Sequence, residues 1–264
     1  MRLPIFQVDA FADAVFAGNP AAVVPLDAWL PDATMQAIAM ENALSETAFL
    51  VPDGEGWELR WFTPAVEVAL CGHATLATAF VLATRLAPGR ARYDFRTRRS
   101  GVVSVAVDGD LLTLDFPVIP PVPGEAHPGL LDALGGGPAA EVLRAQHRVL
   151  VVYDDPETVR RLAPRFDGIP GPEGASALVT AAGGGEGIDF VSRYFAPAGG
   201  IPEDPVTGSA HCALVPYWAG RLGRTAFEAR QLSRRGGALS CRLAGDRVLI
   251  SGRAVLYMEG TIHL

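Results

Sequence analysis

Glu67-Val68-Ala69-Leu70-Cys71-Gly72-His73-Ala74 and Glu203-Asp204-Pro205-Val206-Thr207-Gly208-Ser209-Ala210 stand 136 positions apart, and their likeness decides the fold. At that single offset residues 67–114 lie on residues 203–250 without a gap and share 13 identities over 48 positions. Beyond the quoted stretches, Ala77 and Ala83 meet Ala213 and Ala219, Arg85-Leu86 meets Arg221-Leu222, and Arg98-Arg99 meets Arg234-Arg235. Gly101, Ser104 and Gly109-Asp110 then meet Gly237, Ser240 and Gly245-Asp246. Identities in that order mark a duplicated supersecondary unit rather than shared composition. Two copies imply two similar domains and a pseudo-symmetric cleft between them, where a small ligand is met from opposite faces.

Both copies carry the same succession of a small-residue helix, an extended segment and a hairpin. The helices are expected over residues 72–86 and 208–222. The hairpins turn at Asp108-Gly109-Asp110 and Ala244-Gly245-Asp246, where glycine supplies the backbone freedom a tight turn needs. Ala74, Ala77 and Ala79 in the first helix, and Ala210 and Ala213 in the second, let other backbone approach closely. A helix that is apolar on most sides is a buried one. The pattern therefore predicts an α+β fold of two domains, each a sheet curled round a central helix. Upstream, residues 31–42 read as an amphipathic helix through Met35, Ile38 and Ala39, and residues 46–51 as a strand. Residues 254–264 are strand-like and can return to pair with the first domain. Pro117, Pro120, Pro121, Pro123 and Pro128 crowd one segment between the copies, which reads as extended linker. The expected domains are residues 1–117 and 128–264.

With 264 residues, 49% of them apolar, the chain can bury two cores of ordinary size. A net charge of −7 opposes nucleic-acid binding, which needs a basic footprint to meet phosphate. The one basic run, from Arg90 to Arg99, alternates with Ala91, Tyr93, Phe95 and Thr97 and reads as the solvated face of a half-buried strand. No signal peptide or membrane-spanning apolar run is found, and three spaced cysteines fit a reducing cytoplasm. All 22 basic residues are arginine. Lysine Schiff bases, lysine-anchored pyridoxal phosphate and P-loops are thereby excluded. The five histidines show no paired-ligand spacing and there is no C-x-x-C, so neither a metal nor a cofactor is expected. The glycine-rich run 183–187 opens no expected helix and reads as a loop, not a dinucleotide site.

The chemistry is expected at the two helix starts, Cys71-Gly72-His73 and Thr207-Gly208-Ser209. Free N–H groups and the positive dipole end there suit a carboxylate. Glu46 opens a segment that is apolar on both strand faces. Burial there is expected to raise its pKa toward neutrality, as a general acid/base needs; an exposed or capping glutamate is the alternative. His73 is expected to be held neutral by the helix dipole, able to donate to a substrate oxygen or to shuttle a proton. Asp204 is read as orienting a substrate amine or hydroxyl, or as closing a local Asx turn. Cys71, at a helix start, is expected to have a lowered pKa. Its counterpart Thr207 carries no thiol, so the two-thiol chemistry of a racemase lacks its second half.

Four short runs carry a further likeness. Gly18-Asn19-Pro20-Ala21-Ala22-Val23, Ser45-Glu46-Thr47-Ala48-Phe49, Leu70-Cys71-Gly72-His73-Ala74-Thr75 and Glu203-Asp204-Pro205-Val206-Thr207-Gly208-Ser209-Ala210 resemble the motifs of the PhzF-like phenazine-biosynthesis family, in its order and spacing. The resemblance covers nearly the whole chain. It implies the two-domain fold of diaminopimelate epimerase and proline racemase, with a curved, mostly antiparallel sheet round one helix in each domain, and a homodimer. It also implies a cofactor-independent isomerase that moves a proton and a double bond on a small carboxylate-bearing molecule. On that likeness Glu46 carries the proton, His73 and Asp204 share the catalytic site, and Asn19, Cys71, Gly72, Gly208 and Ser209 line the substrate. Two other functions stand beside this one. The first is a non-catalytic dimer that binds a small metabolite or a partner; the second is a racemase working through Cys71.

Overall fold

The computed structural model describes residues 1–169 and 176–264. The chain forms two compact units, one of Met1–Asp115 with Ser251–Leu264 and one of Phe116–Ile250.

In the first unit β1 (Arg2–Ala10) pairs antiparallel with β2 (Asn19–Pro25) on one side and with the C-terminal strand Ala254–His263 on the other. The sheet continues from β2 to β3 (Glu46–Asp53) in parallel, then antiparallel to β4 (Gly56–Phe62). Short β5 (Glu67–Val68) lies against the end of β4, while β6 (Arg92–Thr97) runs parallel to its beginning. β7 (Val102–Asp108) and β8 (Leu111–Pro117) complete it as an antiparallel hairpin on β6. The parallel step from β2 to β3 needs a crossover, and α1 (Asp32–Asn42) supplies it. β6 alternates as its sequence suggests, with Tyr93 and Phe95 buried between exposed Arg92, Asp94 and Arg96.

Helix α2 (Gly72–Val81) is buried along nearly its whole length and packs on β1, β2, β3 and β7. Alanines and threonines make this possible. The hydroxyls of Thr75 and Thr78 donate back to the carbonyls of Cys71 and Ala74, so neither hydroxyl is stranded in the core. The helix does not stay regular to residue 86. It widens into a π-helical turn over Leu82–Leu86.

The second unit repeats this order with β10 (Glu141–Ala145), β11 (Arg148–Val152), β12 (Ser176–Ala182) and β13 (Phe190–Ala196), joined antiparallel, parallel and antiparallel. β14 (Ile201–Asp204) lies on the end of β13, and β15 (Ala226–Gln231) runs parallel to its beginning. β16 (Gly237–Ala244) and β17 (Arg247–Gly252) form the hairpin. The proline-rich stretch belongs to this unit: β9 (Val122–Pro123) pairs with β10, and the N–H of Val118 donates to the carbonyl of Asp246. Small helices α3 (Leu130–Leu134) and α4 (Pro156–Arg161) flank the sheet, and the N-cap side chain of Asp155 accepts from the N–H of Glu157. The central helix starts as a tight 3-10 turn, Gly208–Ala210, and runs on as α5 (His211–Leu222). The run 183–187 is a loop with four glycines at positive φ.

The duplication thus extends well past the 67–114 segment. Strand pairing makes β1 to β8 equivalent to β10 to β17, step for step. One ion pair is repeated as well. Arg60 on β4 is 1% exposed and grips Glu67 with Nε and Nη2, both at 2.8 Å. Arg193 on β13 is 8% exposed and grips Glu203 in the same way, at 2.7 and 2.9 Å. Bidentate pairing of this kind satisfies a guanidinium that burial has stripped of water. The Glu67–Glu203 identity is therefore an anchor in each unit rather than part of the chemistry.

Candidate active site

The site residues of the first unit converge because three elements begin side by side. β2 starts at Asn19, β3 at Glu46 and α2 at Gly72. Gly18 makes the first start possible. Its φ is +65°, and a Cβ there would sit 2.2 Å from the carbonyl oxygen of Ala10, so only glycine can turn the chain into β2. Parallel pairing then sets Glu46 opposite Ala21. The result is a cluster of Asn19, Glu46, Cys71 and His73, all buried.

His73 is the hub. Its Nε2 stands 3.1 Å from Oε2 of Glu46, while Nδ1 lies 3.0 Å from Nδ2 of Asn19 and 3.6 Å from Sγ of Cys71. The Nε2–Oε2 pair is close enough for a hydrogen bond but not aligned as one, and neither atom has another hydrogen-bond partner. Two buried polar atoms thus stand side by side without a hydrogen bond. Unsatisfied groups of this kind are rare inside proteins and point to function.

The titration of these groups differs from the sequence expectation in two respects. Cys71 is not an activated thiol: burial, aided by the Glu46 carboxylate, pushes it up to about 11. Desolvation here overwhelms the partial charge of a helix end. His73 is not held neutral by the dipole either. Burial opposes its imidazolium, but the neighbouring Cys71 and Glu46 groups outweigh it and raise the ring well above its ordinary 6.5. Since the thiol stays protonated at neutral pH, the Glu46 carboxylate is the charge that matters. A full charge at 3.1 Å exceeds the half-charge of a helix terminus. The amide of Asn19 has a donor nitrogen and an acceptor oxygen, so it can serve Nδ1 in either protonation state. Glu46, Cys71 and His73 also present ligand atoms within 4.8 Å of one another, the one grouping among the described residues that could hold a metal ion.

The second unit places its candidates around the start of α5. Asp204 is buried, and its carboxylate accepts a bond from the Thr207 hydroxyl. Gln231, wholly buried on β15, fixes this loop: its Oε1 accepts from the N–H of Thr207 at 2.8 Å, and its Nε2 donates to the carbonyl of Asp204 at 2.7 Å. His211 turns Nδ1 to the carbonyl of Thr207, and burial lowers its pKa to about 4, so it stays neutral. The hydroxyl of Ser209, partly exposed, accepts from Nη2 of Arg148 at 2.9 Å. Sequence reasoning found neither Gln231 nor Arg148.

Strand pairing identifies what the second unit carries in place of Glu46. Thr47 lies opposite Phe62 and Ala177 opposite Phe195, one residue after Glu46 and Ser176 respectively. Ser176 occupies the Glu46 position, and its hydroxyl donates to Tyr194 at 2.7 Å. At this strand position only the first unit carries a carboxylate.

Residues 8–260 match the family model described as phenazine biosynthesis-like protein (PhzC-PhzF). The chain belongs to the PhzF family. An uncharacterized isomerase of Pseudomonas aeruginosa is 55% identical over the full length of both chains. The crystal structure of a PhzF-family phenazine biosynthesis protein from Enterococcus faecalis superposes with a TM-score of 0.94 at 45% identity, again over all of both chains. A hydroxyproline epimerase from Agrobacterium vitis shares the fold alone, with a TM-score of 0.62 at 13% identity over 99% of this chain and 92% of that one. This PhzF-family protein is accordingly an isomerase on an α+β epimerase-type fold. Among its described residues no helix is long and apolar enough to cross a membrane.

Proposed function

We propose that this PhzF-family isomerase moves a proton between carbons of a small carboxylate-bearing molecule without a cofactor, and that Glu46 is the general acid/base. The observation that carries this reading is the buried pair Glu46 Oε2 and His73 Nε2, 3.1 Å apart and each without a hydrogen-bond partner. Glu46 takes a proton from a carbon next to an unsaturated or carboxylated centre. The electron pair left behind is delocalised into that centre, and the same carboxyl returns a proton to another carbon or to the other face. His73, charged beside it, stabilises the carboxylate form that begins and ends the cycle, and between the two transfers it can donate to the negative charge on the substrate. Asn19 holds the His73 ring. Gly72, Gly208, Ser209 and Asp204 are assigned as substrate contacts, and Cys71 as a protonated wall of the site. The active species is proposed to be a cytoplasmic homodimer.

The test is turnover by Glu46→Gln, with substrates found by screening small unsaturated carboxylates for product formation. The amide keeps the shape but cannot accept a proton. A loss of about 100-fold or more is expected, in a variant that still unfolds cooperatively. Turnover close to that of the unaltered protein would refute the assignment. Product formation is the primary readout, because return of the same proton would leave solvent deuterium out of the product.

A further inference from the structure

Among the described residues three arginines are buried on strands, and one of them lacks an anion. Arg60 and Arg193 each grip a glutamate. Arg148, 6% exposed at the start of β11, pairs with no carboxylate. Its Nη2 donates to Ser209, its guanidinium lies 5.8 Å from the centre of the Tyr194 ring, and Nε and Nη1 have no hydrogen-bond partner. A buried cation left in that condition is costly unless an anion completes it.

The internal repeat explains where the charge stands. Arg148 is the cross-strand neighbour of Ser176, as Ala21 is of Glu46. Ser209 stands at the repeat position of His73. At the positions that Glu46, His73 and Ala21 hold in the first unit, the second has Ser176, Ser209 and Arg148.

We propose that Arg148, by holding Ser209 at the start of the second central helix, is the positioning residue that makes this helix start select a carboxylate. Nε and Nη1 are closed off from solvent, so the guanidinium acts through Ser209. By occupying a lone pair of Oγ, Nη2 turns the hydroxyl proton outward as a donor. It also adds a full positive charge to the free N–H groups of the helix start. The Asp204 carboxylate accepts from the Thr207 hydroxyl. The proposal rests on the reading that the substrate bears a carboxylate.

The test compares benzoate with benzamide, which have the same shape and differ in charge, by calorimetric titration of the full chain. The unaltered protein is expected to favour benzoate by about tenfold or more. Arg148→Met is expected to bring the two affinities together by weakening benzoate alone, whereas a merely structural role would weaken both alike. Ser209→Ala, which removes the hydroxyl and spares the buried strand, is expected to act in the same direction, and Arg148→Lys to keep part of the preference. An unaltered protein that holds benzoate no better than benzamide overturns the proposal, as does a preference that survives both Arg148→Met and Ser209→Ala. Glu46→Gln is expected to keep the preference, so a failure of the proton-transfer reading is told apart from a failure of this one.

Discussion

The amide nitrogen of Asn19 lies 3.0 Å from Nδ1 of His73, on the opposite side of the ring from Glu46. The ring is held at Nδ1, so Asn19 governs how often Nε2 stands beside the carboxylate. Asn19→Ala is expected to lower kcat about 10- to 100-fold with a smaller change in KM. Steady-state kinetics on any substrate found by screening would check it; a change confined to KM would show that Asn19 serves binding alone.

Cys71 is expected to be dispensable. With its thiol pushed up to about 11, few molecules carry a thiolate at neutral pH. Alkylation by iodoacetamide at pH 7.5 should run at least about 100-fold slower than that of free cysteine. Cys71→Ala should keep turnover within a few-fold. Rapid alkylation accompanied by inactivation would revive the thiol-based racemase.

The two buried histidines give stability opposite dependences on pH. The pKa of His73 is raised on folding, so the folded state binds this proton more tightly than the unfolded chain does. Its contribution is fully present below about pH 6.5 and is lost as pH rises through the raised value. The pKa of His211 is lowered from 6.5 to about 4, so stability falls as pH drops from 6.5 toward 4, by about 3 kcal/mol in all. Urea unfolding between pH 4 and 9 would separate them. Glu46→Gln should flatten the alkaline limb and His211→Gln the acid limb; an acid limb unchanged in His211→Gln would show that other groups control it.

The repeated ion pair makes an asymmetric prediction about stability. Glu203→Ala leaves Arg193 with backbone carbonyls alone, the best of them Leu162 at 2.7 Å, and is expected to cost about 3 kcal/mol. Glu67→Ala leaves Arg60 its second carboxylate, Asp32 at 2.9 Å, and is expected to cost clearly less. Urea midpoints would decide the order. Equal losses would mean that Asp32, which is largely exposed, supplies nothing.

Much of this architecture was legible in the chain. Gly109 and Gly245 marked both hairpin turns, the alanine-rich runs marked both buried helices, and β3 begins at Glu46, where the apolar stretch suggested. Arg148, Gln231 and Ser176 were not legible, for a physical reason. The gapless alignment starts at Glu67. Upstream of it the two copies differ in loop length, so Arg60 and Arg193, or Glu46 and Ser176, fall at other offsets that only strand pairing restores. The state of His73 escaped for a related reason. A helix-end rule sees the dipole, whereas the carboxylate that outweighs it arrives from another element 27 positions away.

Pairing of the C-terminal strand with β1 sets Arg2 beside His263 and Ala10 beside Ala254. One edge of β1 is paired early, by β2, but the other stays open until the end of synthesis. The ribosome delivers β1 first, yet the sheet that carries Asn19 and Glu46 waits for residues 254–263. The second unit, encoded in between, has all its own strands before then. Folding during translation should therefore run from the middle outward, with the proton-transfer pair taking shape last.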